Sequence, residues 1–532
     1  MNIVGLLSLK NFRRIIATIY IVLFGFAFID FSSTLSPSFI KSLLYFQFTP
    51  SLIQFLKFGG IAATGYIIVI LLTLLFGRIY CSALCPLGIF QDFISRIRIK
   101  SPRYKYLKPW NWIRYTFLAV VVGFAISGWL FLLNLVEPYS IAGRIFSDLV
   151  RPVYFWLNNV GVKILGLFNS YALHQVTFVG MPLSSLIITG AITFIVIVLA
   201  WRLGRIFCNT LCPVGAILSI ASRYSIFKLV INESACTSCK RCARDCKASC
   251  IDIELKNIDF SRCVACYNCI GSCKEGGIGY KFAWQPKPKQ QEEIIVDESR
   301  RKFFVTAIGI ASASYLLKPL RTLAQNSSTE NSQPEGSSRA GKRKNSRKAP
   351  ITPPGSSNFP DFTKACTACH LCVSACPTHV LQPSVKEYGL WGIMQPHMDF
   401  RSGFCNYECT RCGDVCPTGA IKPLVLETKK RTQLGIARFH RGNCIVQVDG
   451  TECGACSEHC PTKAVHMVPF GGLYFPEVRN ELCIGCGACE YACPTTPYKA
   501  IYVNGNIEHG IAELPEAIDE GPRKSTLEEF PF

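Results

Sequence analysis

The chain has 532 residues, of which 49% are hydrophobic, with a mean hydropathy of +0.27 and a formal charge of +21. That length holds several domains, and that hydropathy points to membrane spans. The basic residues gather beside apolar segments and in one linker, where they orient a membrane protein, so nucleic-acid binding is set aside. A disulfide scaffold is set aside too, because the 29 cysteines of this long chain come in closely spaced runs.

Residues 1–230 read as a helical membrane module with four spans, at 15–31, 60–76, 112–135 and 183–201. Lys10, Arg13 and Arg14 precede the first span. Arg78, Arg96, Arg98, Lys100, Arg103, Lys105 and Lys108 lie between the second and third, and Arg202, Arg205, Arg223 and Lys228 follow the fourth. The charge asymmetry puts both ends of the module on the cytoplasmic side. The spans contain no histidine, which excludes a pair of haem groups with bis-histidine ligation; His174 lies in an outer connection.

The module contains a repeat. Gly77-Arg-Ile-Tyr-Cys81-Ser-Ala-Leu-Cys85-Pro86-Leu-Gly88 matches Gly204-Arg-Ile-Phe-Cys208-Asn-Thr-Leu-Cys212-Pro213-Val-Gly215. Proline after each second cysteine suits the first position of a helix. Leu87, Phe90, Phe93, Ile94 and Ile97 mark the expected apolar face of that helix, with Arg96 turned away. Two C-x3-C-P motifs at equal depth bring Cys81, Cys85, Cys208 and Cys212 forward as a further metal, cluster or redox-thiol site, against the plainer reading that they pack the membrane edge.

Residues 231–285 have the size of a two-cluster domain, with runs Cys236/Cys239/Cys242/Cys246 and Cys263/Cys266/Cys269/Cys273. Residues 251–255 alternate like a short strand. Cys246 and Cys273 are followed by lysine, and Cys250 lies four residues beyond Cys246; either Cys246 or Cys250 could be the fourth ligand, with Cys246 preferred. Residues 295–324 carry Arg300-Arg301 ahead of an apolar stretch, the pattern of a twin-arginine export signal or of a short anchor, and both place the remainder outside. Residues 325–360 read as a disordered basic linker. Residues 361–505 carry the runs Cys366/Cys369/Cys372/Cys376, Cys405/Cys409/Cys412/Cys416, Cys444/Cys453/Cys456/Cys460 and Cys483/Cys486/Cys489/Cys493, with a hairpin at 464–478. Cys444, eight residues before Cys453, is the least secure of these. The tail, 506–532, is acidic.

The spacing C-x2-C-x2-C-x3-C-P, complete at Cys366–Pro377, is that of bacterial ferredoxins, in which three thiolates hold one iron–sulfur cube and the fourth reaches the neighbouring cube. Structural zinc also uses paired C-x2-C motifs, but it asks for neither the third cysteine nor the proline. Cys366-Thr-Ala-Cys369-His370 doubles as a c-type haem motif. Its cysteines are already committed to a run, which leaves His370 a bystander. The expected fold is an α-helical membrane module, four spans plus a fifth twin-arginine or anchor segment, joined to α+β ferredoxin-like iron–sulfur domains with about six [4Fe–4S] clusters.

On these motifs, residues 1–281 resemble the membrane ferredoxins of the NapH type. Residues 295–505 resemble the twin-arginine-exported NapG or MauM type, here fused to the first. The resemblance implies a bacterial inner-membrane protein with 231–295 cytoplasmic and 325–532 outside. It implies electrons passing from the quinone pool, or from a cytoplasmic donor, to a periplasmic reductase or its electron-carrier subunit. No catalytic residue is assigned. The alternative is a redox maturation factor that uses the C-x3-C-P thiols to assemble a partner's metal centre.

Overall fold

A computed structural model describes residues 9–30, 34–60, 64–97, 104–176, 180–282 and 344–514. The expected twin-arginine segment, 295–324, lies outside the described residues.

The N-terminal part is a helix bundle: α1 (Leu9–Ile29), α2 (Phe48–Phe58), α3 (Gly65–Phe76), α4 (Pro86–Ile97), α5 (Asn111–Ile126), α6 (Pro138–Arg144), α7 (Leu183–Leu203) and α8 (Pro213–Arg223). Among the described residues, only α1 and α7, at 21 residues each, are long and apolar enough to cross a bilayer. This corrects the expectation of four full spans. The stretch 112–135 breaks where Gly128 takes φ +83°, so Trp129 turns into the protein and a second short helix, Phe131–Val136, follows. At 1.5 Å per residue, the 12 and 16 residues of α3 and α5 fall short of a ~30 Å hydrocarbon layer.

On α7 the buried positions are Ser185, Thr189, Thr193, Val196 and Ala200, while Ile187 and Phe194 point outward. Small and hydroxyl-bearing residues inside with large apolar ones outside reverses the pattern of a water-soluble helix. α4 shows the same inversion, and it splits the single apolar face expected there: Leu87 is buried with Gln91, Asp92 and Ser95, while Phe93 and Ile97 are exposed together with Arg96. The polar stripe turns inward because it finds buried partners there.

Two cysteine-rich blocks cap opposite ends of this bundle. The first, from β1 (Phe227–Ile231) to β2 (Ile278–Phe282), pairs its end strands antiparallel, Phe227 opposite Phe282. It meets the C-terminal ends of α3 and α7 and the segment leading into α5: Ile226 N–H donates to Leu74 O, Arg205 N–H to Lys247 O and Tyr104 N–H to Arg244 O. The expected strand at 251–255 shrinks to Ile251–Asp252, paired with Asn257–Ile258.

The second block contains β3 (Thr432–Phe439), β4 (Val465–Phe470), β5 (Leu473–Val478) and β6 (Ile501–Ile511). The β4–β5 hairpin turns at Gly471-Gly472, both with positive φ. This block meets the other ends of the helices. The Trp391 ring stacks on Trp129 just past α5, at 4.1 Å. His370 Nδ1 lies 2.8 Å from Asp148, whose carboxylate also accepts from Thr189 near the start of α7. Lys57 at the end of α2 donates to Gly419 O. His370 is therefore no bystander. Its Nε2 contacts Met394 O as well, at 2.8 Å.

The block is larger than 361–505. Ile351 is buried and its carbonyl accepts from Met398 N–H, and Arg347 pairs with Glu490. Residues 344–360 are thus packed instead of disordered, since 349–354 is apolar and proline-rich while the charges lie earlier. At the other end β6 runs to Ile511, inside the expected tail.

Candidate iron–sulfur sites

Four runs share one local geometry. The second and fourth residues after the first cysteine take the left-handed conformation: Ser238 and Lys240, Ala265 and Tyr267, Ala368 and His370, Gly485 and Gly487. Side chains adopt this rarely, and the repeated pair curls the backbone around the thiols. Its amides then donate to sulfur: Ala368 to Cys366, Leu371 to Cys369, Gly485 to Cys483 and Ala488 to Cys486. Hydrogen bonds to sulfur are one of the levers that set a cluster's potential. The two runs with irregular spacing lack this pair. Between Cys444 and Cys453 the extra residues form a short helix, Ile445–Asp449, ended by Gly450 with φ +66°.

The fourth cysteine of each run stands with the neighbouring run. Cys416 lies close enough to act on the charge of Cys366, Cys369 and Cys372. Cys376 acts on Cys405 and Cys412, which also feel Cys409. Cys493 acts on Cys444 and Cys456, beside Cys453, and Cys460 on Cys483, Cys486 and Cys489. In the first block Cys273 stands with Cys236, Cys239 and Cys242, and Cys246 with Cys266 and Cys269. Cys250 sits 3.5 Å from Cys246 and beside Cys263; the hydrogen bond from Cys250 draws the Cys246 thiol below its ordinary pKa.

Among the described residues no three His, Cys, Asp or Glu side chains converge on one ion. Sets of four, three thiols from one run and one from its neighbour, suit a cube in which each iron takes one thiolate. These residues fit that group, which when bound would carry one electron at a time.

Sequence reading passed over a second repeat. Each fourth cysteine of the second block is followed by Pro-Thr, and the hydroxyls of Thr378, Thr418, Thr462 and Thr495 reach Cys376, Cys416, Cys460 and Cys493, at 3.7, 3.7, 3.7 and 3.1 Å. The first block has lysine in place of that proline. Thr495→Val is expected to lower one cluster potential by about 40 mV, the equivalent of about 1 kcal/mol for one hydrogen bond and one electron. A redox titration followed by electron paramagnetic resonance checks it.

Between the blocks the two C-x3-C-P copies interlock. Arg78 crosses to Cys208 O at 3.1 Å and Asn209 Oδ1 at 2.8 Å, and Arg205 crosses to Cys81 O at 2.8 Å. Gly88 and Gly215 permit the crossing, since a Cβ on either would fall 2.2 or 2.1 Å from the carbonyl oxygen of Cys81 or Cys208. All four thiols are buried, and Cys212 feels Cys208, Cys85 and Cys81. Arg205 is balanced by Asp92, which also pairs with Arg13 and Lys247. Burial raises the Asp92 pKa, but Arg205, Lys247 and Arg13 more than offset this and hold the carboxyl well below the usual carboxylate range. Arg78, fully buried, has no carboxylate among its hydrogen-bond partners, one of which is Cys81 Sγ at 3.8 Å. Beside these thiols its charge favours a thiolate or an anionic centre.

The sets form a row. The Cys263 set adjoins this core through Asp92, which acts on Cys266. On the far side Tyr139 in α6, in ring contact with Phe24 at 5.9 Å, stands beside Cys369. The Cys405 set then meets the Cys483 set, where Cys405 N–H donates to Cys486 O.

Comparison with known proteins agrees with this geometry. A family described as a 4Fe-4S binding domain matches residues 58–104 and 185–231, one match over each C-x3-C-P copy. Two families described as 4Fe-4S dicluster domains match residues 365–420 and 450–497. The ferredoxin-type protein NapF of Escherichia coli strain K12 is 29% identical over 157 residues, 29% of this chain and 87% of that protein. The methylamine utilization ferredoxin-type protein MauM of Methylophilus methylotrophus is 33% identical over 144 residues, 26% of this chain and 62% of that protein. An uncharacterized protein of Methanocaldococcus jannaschii is 29% identical over 214 residues, 39% of this chain and 69% of that protein. No solved structure matches. Fold and thiol sets together define an iron–sulfur protein. It is of the ferredoxin type, and its work is electron transfer.

Proposed function

We propose that the chain is an inner-membrane protein of about six [4Fe–4S] clusters that takes electrons from quinol and passes them along its clusters to a reductase, or its electron carrier, outside the membrane. The observation that carries this reading is the placement of two cysteine-rich blocks at opposite ends of one apolar bundle, with four buried thiols between them. The inside-out pattern of α7 supports a lipid surround, and the basic residues around the first block support a cytoplasmic position for it. The ligands are the six crosswise sets described above, with Cys246 serving and Cys250 as its hydrogen-bond partner. Cys81, Cys85, Cys208 and Cys212 act as a shared redox centre that divides one long electron jump into two shorter ones. The whole reads as a NapH-type protein fused to a NapG- or MauM-type one.

Purification without oxygen tests this. The expected result is iron and acid-labile sulfide at about four of each per thiol set, and bleaching of the clusters by a menaquinol analogue. Colourless protein holding zinc would overturn the cluster reading. Clusters that stay oxidised with quinol, together with loss of a partner's metal centre in a deletion strain, would establish the maturation reading instead.

A further inference from the structure

Between α2, α5 and the start of α8 lies a cavity of about 800 Å³, within the usual size of a small-molecule site. Its walls are apolar, Leu52 and Ile53 on α2 facing Leu118 and Val122 on α5. It reaches the outer surface of the bundle at Leu56 and Ile126, which are 75% and 81% exposed. Its two ends differ. Pro213 and Val214, directly after Cys212, line one end; Ala365, directly before Cys366, lines the other together with Lys57, Asp361, Lys364 and Lys422. Lys57 there is near enough to Cys366 and Cys416 to feel their charge.

A ligand filling this space is apolar along most of its length, polar at one end, and entered from the bundle's apolar flank. A phospholipid meets those terms in part. Its phosphate would suit the lysines and an ammonium headgroup the carboxylate, but it has no use for a thiol set beside its polar end. A quinol does. We propose that this cavity binds an isoprenoid quinol, with the ring at the Lys57–Asp361 end and the tail along α5. The inference rests on the quinol reading given above and adds to it a place. Oxidation breaks the two ring O–H bonds and yields quinone, two protons and two electrons. Asp361 is placed to accept one proton at its carboxylate and water the other, while a cluster held by Cys366, Cys369, Cys372 and Cys416 would, when bound, take the electrons one at a time. Lys57 and Lys422 stabilise the negative charge that appears on the ring oxygen as its proton departs.

The test uses the full chain, purified anaerobically with its clusters, and a photoreactive quinone analogue mapped by peptide mass spectrometry. Label is expected on α2 and α5. Leu52→Trp and Ala125→Trp, which fill the cavity from opposite walls, should each cut labelling and quinol-driven bleaching at least tenfold while dithionite still bleaches the clusters fully. Asp361→Asn should keep the label, slow quinol-driven bleaching at least tenfold and flatten its dependence on pH. Label elsewhere, unchanged rates in both tryptophan variants, or a co-purified phospholipid that quinone does not displace would each overturn the site. Label in the cavity with clusters that quinol cannot reduce would uphold the binding site and overturn the donor reading, so the two failures are distinguishable.

Discussion

Cys416→Ala is expected to abolish the cluster built on Cys366, Cys369 and Cys372, not the one built on the run to which Cys416 belongs. The reason is placement: Cys416 stands with the first run and Cys376 with the second. A cube left with three cysteines loses its fourth anchor, so the loss is one cluster in about six. The test compares variants. Cys416→Ala should match Cys366→Ala in its electron paramagnetic resonance spectrum and differ from Cys405→Ala, and Cys376→Ala should show the reverse. Equal spectra for Cys416→Ala and Cys405→Ala would show that each run keeps its own fourth thiol.

Asp92→Asn should destabilise the bundle by about 3–5 kcal/mol, the range for removing one member of a buried ionic group. Arg13, Arg205 and Lys247 would all be left facing a neutral amide in the interior. The sign of the pH dependence follows from the lowered pKa of Asp92. Its stabilising contribution is complete above the unfolded value, near 3.9, and is lost as pH falls through the folded value. Wild type and variant should therefore differ most near neutrality and converge in strong acid. Thermal unfolding across that range measures it, and a gap that widened on acidification would contradict this account.

Most of the chemistry was legible because it is local. The six runs, the helix starts at Pro86 and Pro213, and the Gly471-Gly472 turn depend on residues a few positions apart. The Pro-Thr after each fourth cysteine of the second block is equally local, but a threonine is not a cluster ligand and its hydroxyl's reach to sulfur shows only in the fold. What did not show was set by the surroundings. On α4 the single interfacial face that the apolar positions suggest is split, because Asp92 finds its cations inside while Phe93 faces outward. Trp112 to Leu135 carries enough apolar residues for one span, but the helix ends at Ile126, Gly128 takes φ +83° and Trp129 turns inward to stack on Trp391, a distant partner that spacing does not show. Which thiol joins which set is likewise a matter of folding two runs face to face, and spacing is silent on it.

The His370–Asp148 contact has a mechanical consequence. Both side chains are wholly buried, and Trp129 and Trp391 close a second contact beside them. A carrier held this way does not swing between donor and acceptor as a tethered domain would. Its first thiol set stays at one fixed distance from the bundle, so no swing of the block gates a transfer across that contact; distance and the potentials of the two centres set its rate. Any search through solution would fall to a partner that meets the far end of the block.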